Sequence, residues 1–295
     1  MATIRSSLPH VERTAAEPRE DDVEPVVLAN VREVNDTVRL LRLNALDPNH
    51  TIKFLPGQWL DTFIPSLRQA GGFTITSTPD QARPSAHSPP YLELAVQKST
   101  NPPAAWLWRP TEEILGSKLA VRVGGSFTWP PPHLDPQSIE RLVLVAGGVG
   151  INPLVSIFSH LVRTSTRPRE VHFVYASKAT SDLDPHKILF LPRLQDLIAA
   201  EADPSVTLSM FLTGTGYDGV IEHGKLPNRT YGRRINRSDL LNALDGYQQN
   251  VSGAKHRDKT ACYVCGPPRM TDELVEFLRK QEGMTDERVL CEKWW

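Results

Sequence analysis

Cysteine is scarce in this chain, long apolar runs are absent, and the net charge is close to zero. The 295 residues include three cysteines, too few for a disulfide framework, which favours a reducing compartment. No apolar run approaches the roughly 18 residues of a membrane-spanning helix. The formal net charge is −1, so the charge balance does not favour nucleic acid as a partner. These observations indicate a globular protein. Its length is large for one domain and sufficient for two.

The cysteines are too few to predict a metal site. Cys262 and Cys265 have the C-x-x-C spacing that also occurs in zinc sites and redox pairs. No second pair is present to complete a zinc site, and the thiols are too few for a plant-type iron–sulfur cluster. We therefore predict that the chain carries no metal site.

The N-terminal stretch 1–25 lacks the apolar core of a secretory signal. Its beginning is basic and rich in hydroxyl groups, as in a mitochondrial presequence, but acidic residues from Glu12 onward count against a long one. A disordered tail is favoured over a targeting tail. Together with the few cysteines, this predicts an intracellular protein of the cytoplasm or the mitochondrion.

Residues 26–128 alternate short β-rich runs with turn residues. The runs are VVLANVREV, TVRLLRLNAL, QWLDTFI, GGFTITS, YLELAVQ and KLAVRV. Short strands at close spacing are typical of an antiparallel barrel or sandwich. Pro130–Pro132 then lie in a proline-rich stretch that predicts a stiff connector over 129–140.

Residues 141–295 show a different pattern, in which strands alternate with helices. RLVLVAGG is a continuous apolar strand, NPLVSIFSHLVR has a helical pattern, and strands and helices alternate from there. Such alternation predicts a doubly wound parallel sheet. The predicted fold class is therefore an N-terminal antiparallel β-barrel followed by an α/β domain.

A glycine-rich turn follows the first strand of the α/β domain. Gly147, Gly148 and Gly150 allow backbone amides to approach a phosphate, and the following helix N-terminus adds positive charge. We expect Asn152 to cap that helix and Pro153 to lie in its first turn. A plain tight turn is the alternative. The third glycine of the dehydrogenase fingerprint is missing, so a standard NAD dehydrogenase fits poorly.

A second turn of this kind lies in YVCGPPRM, after a later apolar strand. Ligands of open α/β sheets bind at the carboxyl ends of strands. We therefore expect Cys265, Gly266 and Pro267 to face one nucleotide from the side opposite Gly147–Gly150.

The order of these motifs resembles a known family. GGFTITS, then GGVGINP, then YVCGPPRM and a final Glu-x-aromatic are similar to the ferredoxin–NADP reductase superfamily over about residues 26–295. Within it, ERTAAEPRE, AGGVGINPL, CGPPRMT and EKWW resemble the branch of oxidoreductase NAD-binding domain-containing protein 1. The motifs are specific in combination, although each alone is weak.

The resemblance implies FAD in the barrel. Phe73 would pack against the flavin ring in place of the family's tyrosine, and the Thr74 hydroxyl would bind flavin N5. Gly71 stands where the family has an arginine for the flavin phosphate, which leaves FAD and FMN both open. Plain barrel core is the alternative for Phe73.

The phosphates of the flavin would then need other partners. In the family, a short helix after the GGFTITS and YLELAVQ strands points its N-terminus at them. Asn101 is the expected cap of that helix, and Ser99 and Thr100 are expected to add donors. An ordinary surface helix is the alternative.

The resemblance also implies NAD(P)H in the α/β domain. Cys265 would lie near nicotinamide C4, Glu292 beside the flavin, and Trp294 on the flavin face. Ser177 and Lys178 match the strand end that meets the adenosine 2′ position.

Arg233 and Arg234 carry guanidinium forks suited to a 2′-phosphate. Surface charge is the alternative for them and for Lys178.

The implied function is a flavin-dependent NAD(P)H oxidoreductase that passes hydride from nicotinamide to FAD and electrons to an unknown acceptor. Thr74, Cys265 and Glu292 are its expected catalytic residues. The reductase component of a larger electron-transfer chain is the runner-up. A nucleotide-binding regulator that kept the fold without turnover stays open, since Gly71 removes a phosphate ligand.

Overall fold

The computed structural model describes residues 8–216, 218–246 and 253–293. The chain falls into two compact units, and the boundary between them lies between Pro132 and His133. Val155–His160 group with the first unit. Each unit is built on one six-stranded sheet.

The first unit is antiparallel throughout. Its strands are β1 (Glu24–Asn35), β2 (Val38–Ala45), β3 (Trp59–Phe63), β4 (Gly71–Thr74), β5 (Tyr91–Gln97) and β6 (Lys118–Gly124). They pair in the order β4-β3-β6-β1-β2-β5. A bridge between Ile75 and Leu94 joins the two ends of this order, so the sheet closes into a barrel. The predicted barrel and all six predicted strands are confirmed.

Alternation of apolar and polar residues directs one face of each strand into the barrel core. The fully buried side chains of that core include Leu28, Leu41, Leu43, Leu60, Leu92 and Leu94. Three short helices cover the barrel: α1 (His10–Arg13), α2 (Pro102–Leu107) and α3 (Thr111–Ile114).

The segment Leu8–Glu20, which we call the N-terminal strap, lies along the barrel. Its main chain pairs with the end of β6: Glu20 donates its N–H to the Val123 carbonyl at 2.9 Å, and Pro18 accepts from Gly125 at 2.9 Å. We expected a disordered or targeting tail over 1–25. These backbone bonds give the described part of that stretch a fixed path instead.

The six strands of the second unit pair in parallel, and one isolated bridge between Val220 and Tyr231 is antiparallel. Its strands are β7 (Arg141–Gly147), β8 (Glu170–Lys178), β9 (Val206–Thr213), β10 (Thr230–Tyr231), β11 (Thr260–Cys265) and β12 (Val289–Glu292). The helices are α4 (Ile151–Thr164), α5 (Leu191–Glu201), α6 (Arg237–Asp245) and α7 (Pro268–Arg279). The sheet order is β10-β9-β8-β7-β11-β12. The predicted doubly wound parallel sheet is confirmed.

The strand order reverses at β7. All seven residues of β7 are buried, as expected of a central parallel strand, and it pairs with both β8 and β11. Ligands of such sheets bind where the order reverses, at the carboxyl ends of the strands. Ala146 pairs with Cys265 in the register, so the two predicted turns begin side by side.

None of the helices in the described ranges has the length and hydropathy that a bilayer crossing requires.

Candidate functional site

The turn after β7 begins with a backbone conformation suited to glycine. Gly148 has a φ of +54°, in the left-handed region that side chains disfavour. A Cβ at that position would meet nothing within 4 Å. The space beside the turn is therefore open to a ligand.

The turns after β7 and β11 touch through their backbones. A Cβ at Gly150 would lie 2.3 Å from the Cys265 carbonyl oxygen and 2.6 Å from the Gly266 nitrogen. A Cβ at Gly266 would lie 3.2 Å from the Gly147 Cα. The glycines are therefore needed for close approach of two chain segments, and the structure brings together the two turns that the sequence pointed to.

The start of α4 differs from our expectation. Asn152 is the second residue of the helix and Pro153 the third, whereas Gly150 occupies the capping position. The short 3₁₀ turn Gly148–Gly150 runs directly into α4, so no extended residue precedes the helix to act as a side-chain cap. Pro153 still lies in the first turn, where a missing N–H does not break the helix.

Cys265 and Glu292 are direct neighbours at the carboxyl ends of β11 and β12, where they pair in the parallel register. Cys265 is fully buried and Glu292 is 8% exposed. Pro267 follows at the capping position of α7. Trp294, expected on the flavin face, lies outside the described residues.

The cysteine pair is buried within the sheet. Cys262 and Cys265 form no disulfide within the described residues, and neither has exposed surface. Burial raises the pKa of the Cys262 thiol to about 12, which makes it a poor nucleophile.

A cavity of about 630 Å³ opens beyond the carboxyl ends of β8 and β9. Ser177 and Lys178, the last residues of β8, precede it in the chain and pair with Leu212 and Thr213. The described residues that line it are Ala179, Thr180, Ser181, Leu183, Gly214, Thr215, Val220, Ile221 and Glu222. Glu222 is the one charged side chain in that set.

Arg233 is engaged inside the protein. Its guanidinium donates two hydrogen bonds to the Asp239 carboxylate, at 2.6 and 2.9 Å, and lies 4.8 Å from the centre of the Tyr231 ring. The hydrogen bond to Asp239 raises the pKa of Arg233. Our expectation that its fork binds a 2′-phosphate is therefore corrected, because Asp239 already occupies it.

On the barrel, β4 carries the residues expected to contact a flavin. Phe73 is half-buried against the barrel core, and Thr74 is 5% exposed at the end of the strand. A Cβ at Gly71 would come within 2.5 Å of the Phe73 ring and 2.6 Å of Pro103. Phe73 thus takes the space that a side chain at position 71 would need, which explains the glycine there.

The polar stretch before α2 is exposed. Asn101 occupies the capping position as expected, but its side chain makes no capping bond; its carbonyl oxygen accepts from the Ala105 N–H at 2.8 Å. Ser99 and Thr100 are exposed beside it. These hydroxyl groups are available to a ligand.

The sequence reasoning missed a cluster of charged residues around Asp61, next to β4. Asp61 on β3 has no exposed surface and accepts hydrogen bonds of 2.8 Å from both Arg19 and Arg122. His10 Nε2 lies 3.3 Å from its other oxygen. A Cβ at Gly72 would come within 2.1 Å of the His10 ring, so this glycine of β4 admits the strap.

Burial alone would raise the pKa of Asp61. The neighbouring His10 and the hydrogen bonds from Arg19 and Arg122 outweigh burial and hold that pKa well below its usual range. Trp59 completes the cluster, with the Arg19 guanidinium 4.9 Å from its ring centre. The available signal was an aspartate inside the apolar run QWLDTFI, since such an acid needs a buried partner.

Comparison with known proteins agrees with this architecture. Residues 139–220 match the ferric reductase NAD binding domain. The Danio rerio protein called oxidoreductase NAD-binding domain-containing protein 1 is 33% identical over 300 residues, which cover 99% of this chain and 100% of that protein. The chain belongs to the oxidoreductase NAD-binding domain-containing protein 1 family. The reductase component of propane 2-monooxygenase from Rhodococcus jostii is 24% identical, over 86% of this chain and 59% of that protein.

The solved structures that are similar to this chain have the ferredoxin reductase-like fold. The CS-b5R domains of human Ncb5or, in an NAD⁺ form, align with a TM-score of 0.66 and 18% identity over 94% of this chain and 72% of that chain. The FAD/NAD binding domain of nitric oxide dioxygenase from Vibrio cholerae aligns with a TM-score of 0.65 and 15% identity, over 92% and 98%. The family resemblance noted in the sequence is confirmed by the Danio rerio relative, and these structures agree with the fold that it implies.

Proposed function

We propose that this protein is a flavin-dependent NAD(P)H oxidoreductase. The observation that carries the proposal is the backbone contact between the turns at Gly150 and Cys265, where the strand order of the parallel sheet reverses. The name of the family and of the matched NAD binding domain supports a nicotinamide nucleotide as one partner.

The α/β domain would bind the nicotinamide nucleotide through these turns. Gly147, Gly148 and Gly150 would admit the phosphates to the start of α4, where the helix dipole favours negative charge. The Cys265–Pro267 turn would border the nicotinamide, and Glu292, next to Cys265 in the register, would orient it.

The residues of β4 fit a flavin. The Thr74 hydroxyl makes no hydrogen bond to another described residue, so it is available as a donor to a ring nitrogen such as N5. Phe73 offers an aromatic face that is only half-buried. Ser99, Thr100 and Asn101 would add donors for the phosphates.

Hydride transfer from nicotinamide to flavin is the chemistry that the two nucleotides supply when bound. The protein would orient them, exclude water and stabilise charge that develops during transfer. Thr74 would act by donating its hydroxyl proton in a hydrogen bond that strengthens as electron density arrives at the flavin ring. The electron acceptor that follows is a separate partner.

A reductase component of a larger electron-transfer chain is the second candidate. The similarity to the propane 2-monooxygenase reductase component favours it. In that case an added partner protein, rather than a small molecule, would take the electrons.

Reconstitution with excess FAD or FMN tests the proposal. Bound flavin is followed by its absorption spectrum, and turnover by ferricyanide reduction with NADH or NADPH. We expect flavin binding and turnover. Flavin binding without turnover would identify a nucleotide-binding regulator, and absence of any flavin binding at micromolar concentrations would reject the proposal.

A further inference from the structure

A cavity of about 390 Å³ lies on strands β1, β2 and β5 of the barrel, and we call it the outer groove. Its polar lining consists of Asn30 and Arg32 on β1, Arg42 and Asn44 on β2, and Tyr91 and Glu93 on β5. A cavity of this volume is large enough for a small molecule. None of its lining residues is among those proposed to contact the flavin or the nicotinamide nucleotide, so the outer groove is a separate site.

The alternation of β2 turns the Arg42 side chain away from the barrel core. Arg42 stands between Leu41 and Leu43, and both leucines are buried in that core. Neighbouring residues of a strand point to opposite faces of the sheet. Glu93 is the direct partner of Arg42 in the antiparallel register with β5. Both charged side chains therefore lie on the outer face of the barrel.

A β-bulge brings Asn30 and Arg32 to the same outer face. Val26 and Leu28 point into the core, so strict alternation along β1 would direct residues 30 and 32 inward as well. The register with β2 shifts between Leu28 and Asn30, and Val31 packs against the core instead. Bulges re-aim side chains in this way and are frequent next to functional sites. The bulge is therefore the reason that Arg32 lines the outer groove.

The guanidinium of Arg42 is held in place by neutral groups. It lies 3.7 Å from the centre of the Tyr91 ring. Its Nε donates to Asn44 Oδ1 at 2.9 Å, and its Nη2 donates to Ser88 Oγ at 3.0 Å. Its remaining amino group, Nη1, bonds to no described residue and is not among the buried side-chain atoms that lack a partner, so it keeps accessible surface. A side chain fixed in this way loses little entropy when a ligand binds.

The neighbouring acid does not neutralise Arg42. The Glu93 carboxylate accepts a hydrogen bond of 2.8 Å from the Thr76 hydroxyl. Within the described ranges of the chain, neither Arg42 nor the exposed Arg32 forms an ion pair. Two guanidinium groups and one carboxylate leave the outer groove with a positive formal charge, which favours an anionic ligand.

We propose that the outer groove binds a small organic anion, with Arg42 and Arg32 as the ligands of its carboxylate or phosphate group. A guanidinium fork matches the geometry of either oxyanion. The amide of Asn30 would add a neutral donor, and Leu40 supplies apolar lining for the carbon skeleton of the ligand. The carboxylate of Glu93 disfavours ligands of high negative charge.

The test is calorimetric titration with two probes, propionate for a carboxylate and glycerol 3-phosphate for a phosphate. Excess FAD and ADP-ribose are present so that the proposed nucleotide sites do not take up the probe, and the ionic strength is constant. The wild type is compared with Arg42→Gln, Arg42→Lys and Arg32→Gln. Arg68→Gln is the control, because Arg68 is exposed on the same unit and does not line the outer groove. Thermal unfolding verifies that each variant is folded.

We expect the wild type to bind at least one probe with millimolar affinity or tighter, and the probe that binds identifies the oxyanion. Arg42→Gln should weaken binding about tenfold or more, the scale of a lost charge-assisted hydrogen bond. Arg42→Lys should fall between, because lysine keeps the charge without the fork. Arg32→Gln should weaken binding about threefold, since its charge is exposed. Arg68→Gln should match the wild type.

The inference is overturned if neither probe binds to the wild type at about 10 mM. It is also overturned if Arg68→Gln weakens binding as much as Arg42→Gln does, because the probe would then sense only surface charge. If Arg42→Gln does not fold, the exposed Arg32→Gln decides, and an unchanged affinity in that variant would reject the site. These outcomes are independent of the flavin proposal, since a protein that binds no FAD can still bind the probe at the outer groove.

Discussion

Gly150 and the carbonyl oxygen of Cys265 lie so close that a Cβ at position 150 would approach this oxygen to 2.3 Å. The contact joins the two turns of the proposed nucleotide site, and both partners are backbone. A side-chain rotation cannot relieve such a clash, so any substitution here must move one of the turns.

Gly150→Ala is expected to destabilise the protein by roughly 1–3 kcal/mol, the usual cost of overpacking, and to weaken nucleotide binding. Urea unfolding and calorimetric titration with ADP-ribose measure the two effects. Gly224→Ala is the matched control, because a Cβ there would meet nothing within 4 Å. Equal stability and affinity in both variants would contradict the proposed site.

The coenzyme is expected to be NADH rather than NADPH. Arg233 is held by Asp239, and Glu222 is the one charged residue among the described residues lining the cavity beyond β8 and β9. A carboxylate favours a ribose hydroxyl and repels a 2′-phosphate. The sequence had offered Lys178, Arg233 and Arg234 as candidate ligands of a 2′-phosphate, with surface charge as the alternative.

The measurement is the ratio of affinities for ADP-ribose and its 2′-phosphorylated form. Glu222→Gln should reduce the preference for ADP-ribose over its 2′-phosphorylated form, and Glu222→Lys should reduce this preference further. Lys178→Gln tests the basic candidate residue at the end of β8, and this variant should leave the ratio of affinities unchanged. Tighter binding of the 2′-phosphorylated form to the wild type would refute this prediction.

Asp61→Asn is expected to lower the free energy of unfolding by about 3–5 kcal/mol at neutral pH, because it leaves two partly buried guanidinium groups without their buried anion. The folded-state pKa of Asp61 is depressed. Its contribution is therefore present above the unfolded pKa of about 3.9 and is lost as pH falls through the folded pKa.

Urea unfolding at a series of pH values measures this effect. The gap between wild type and Asp61→Asn should be constant near neutrality and shrink below about pH 4. Asp36→Asn, at an exposed turn, is the control and should cost little. A gap that does not change with acid would mean that the Asp61 charge is not what the variant removes.

Thr74→Val is expected to slow flavin reduction without a loss of folding stability, since the proposed hydrogen bond matters most as the flavin gains charge. Such a bond contributes on the order of 1–3 kcal/mol. Stopped-flow reduction with NADH measures the rate. Thr62→Val makes the same change on β3, where the residue is fully buried, and should leave the rate unaltered. Equal rates in all three proteins would remove Thr74 from the mechanism.

Local sequence patterns were sufficient for most of the architecture. Period-two runs and turn residues predicted β1 to β6, and continuous apolar runs followed by helical periodicity predicted the α/β domain. The turns at Gly147–Gly150 and Cys265–Gly266 were also found in this way, because glycine after a buried strand is a local signal. The prediction that Asn152 caps α4 was wrong, because the 3₁₀ turn Gly148–Gly150 runs directly into the helix.

Tertiary structure decided which charged side chains are free to bind a ligand. Arg233 has a suitable fork, but only the fold brings Asp239 to it. His10 and Asp61 are far apart in the chain, and their contact depends on the absence of a side chain at Gly72. The amino-acid sequence by itself thus determined the elements, their order and the glycine turns, because these depend on neighbouring residues. Which cation is neutralised depends on packing between distant segments, where burial sets the cost of an unpaired charge.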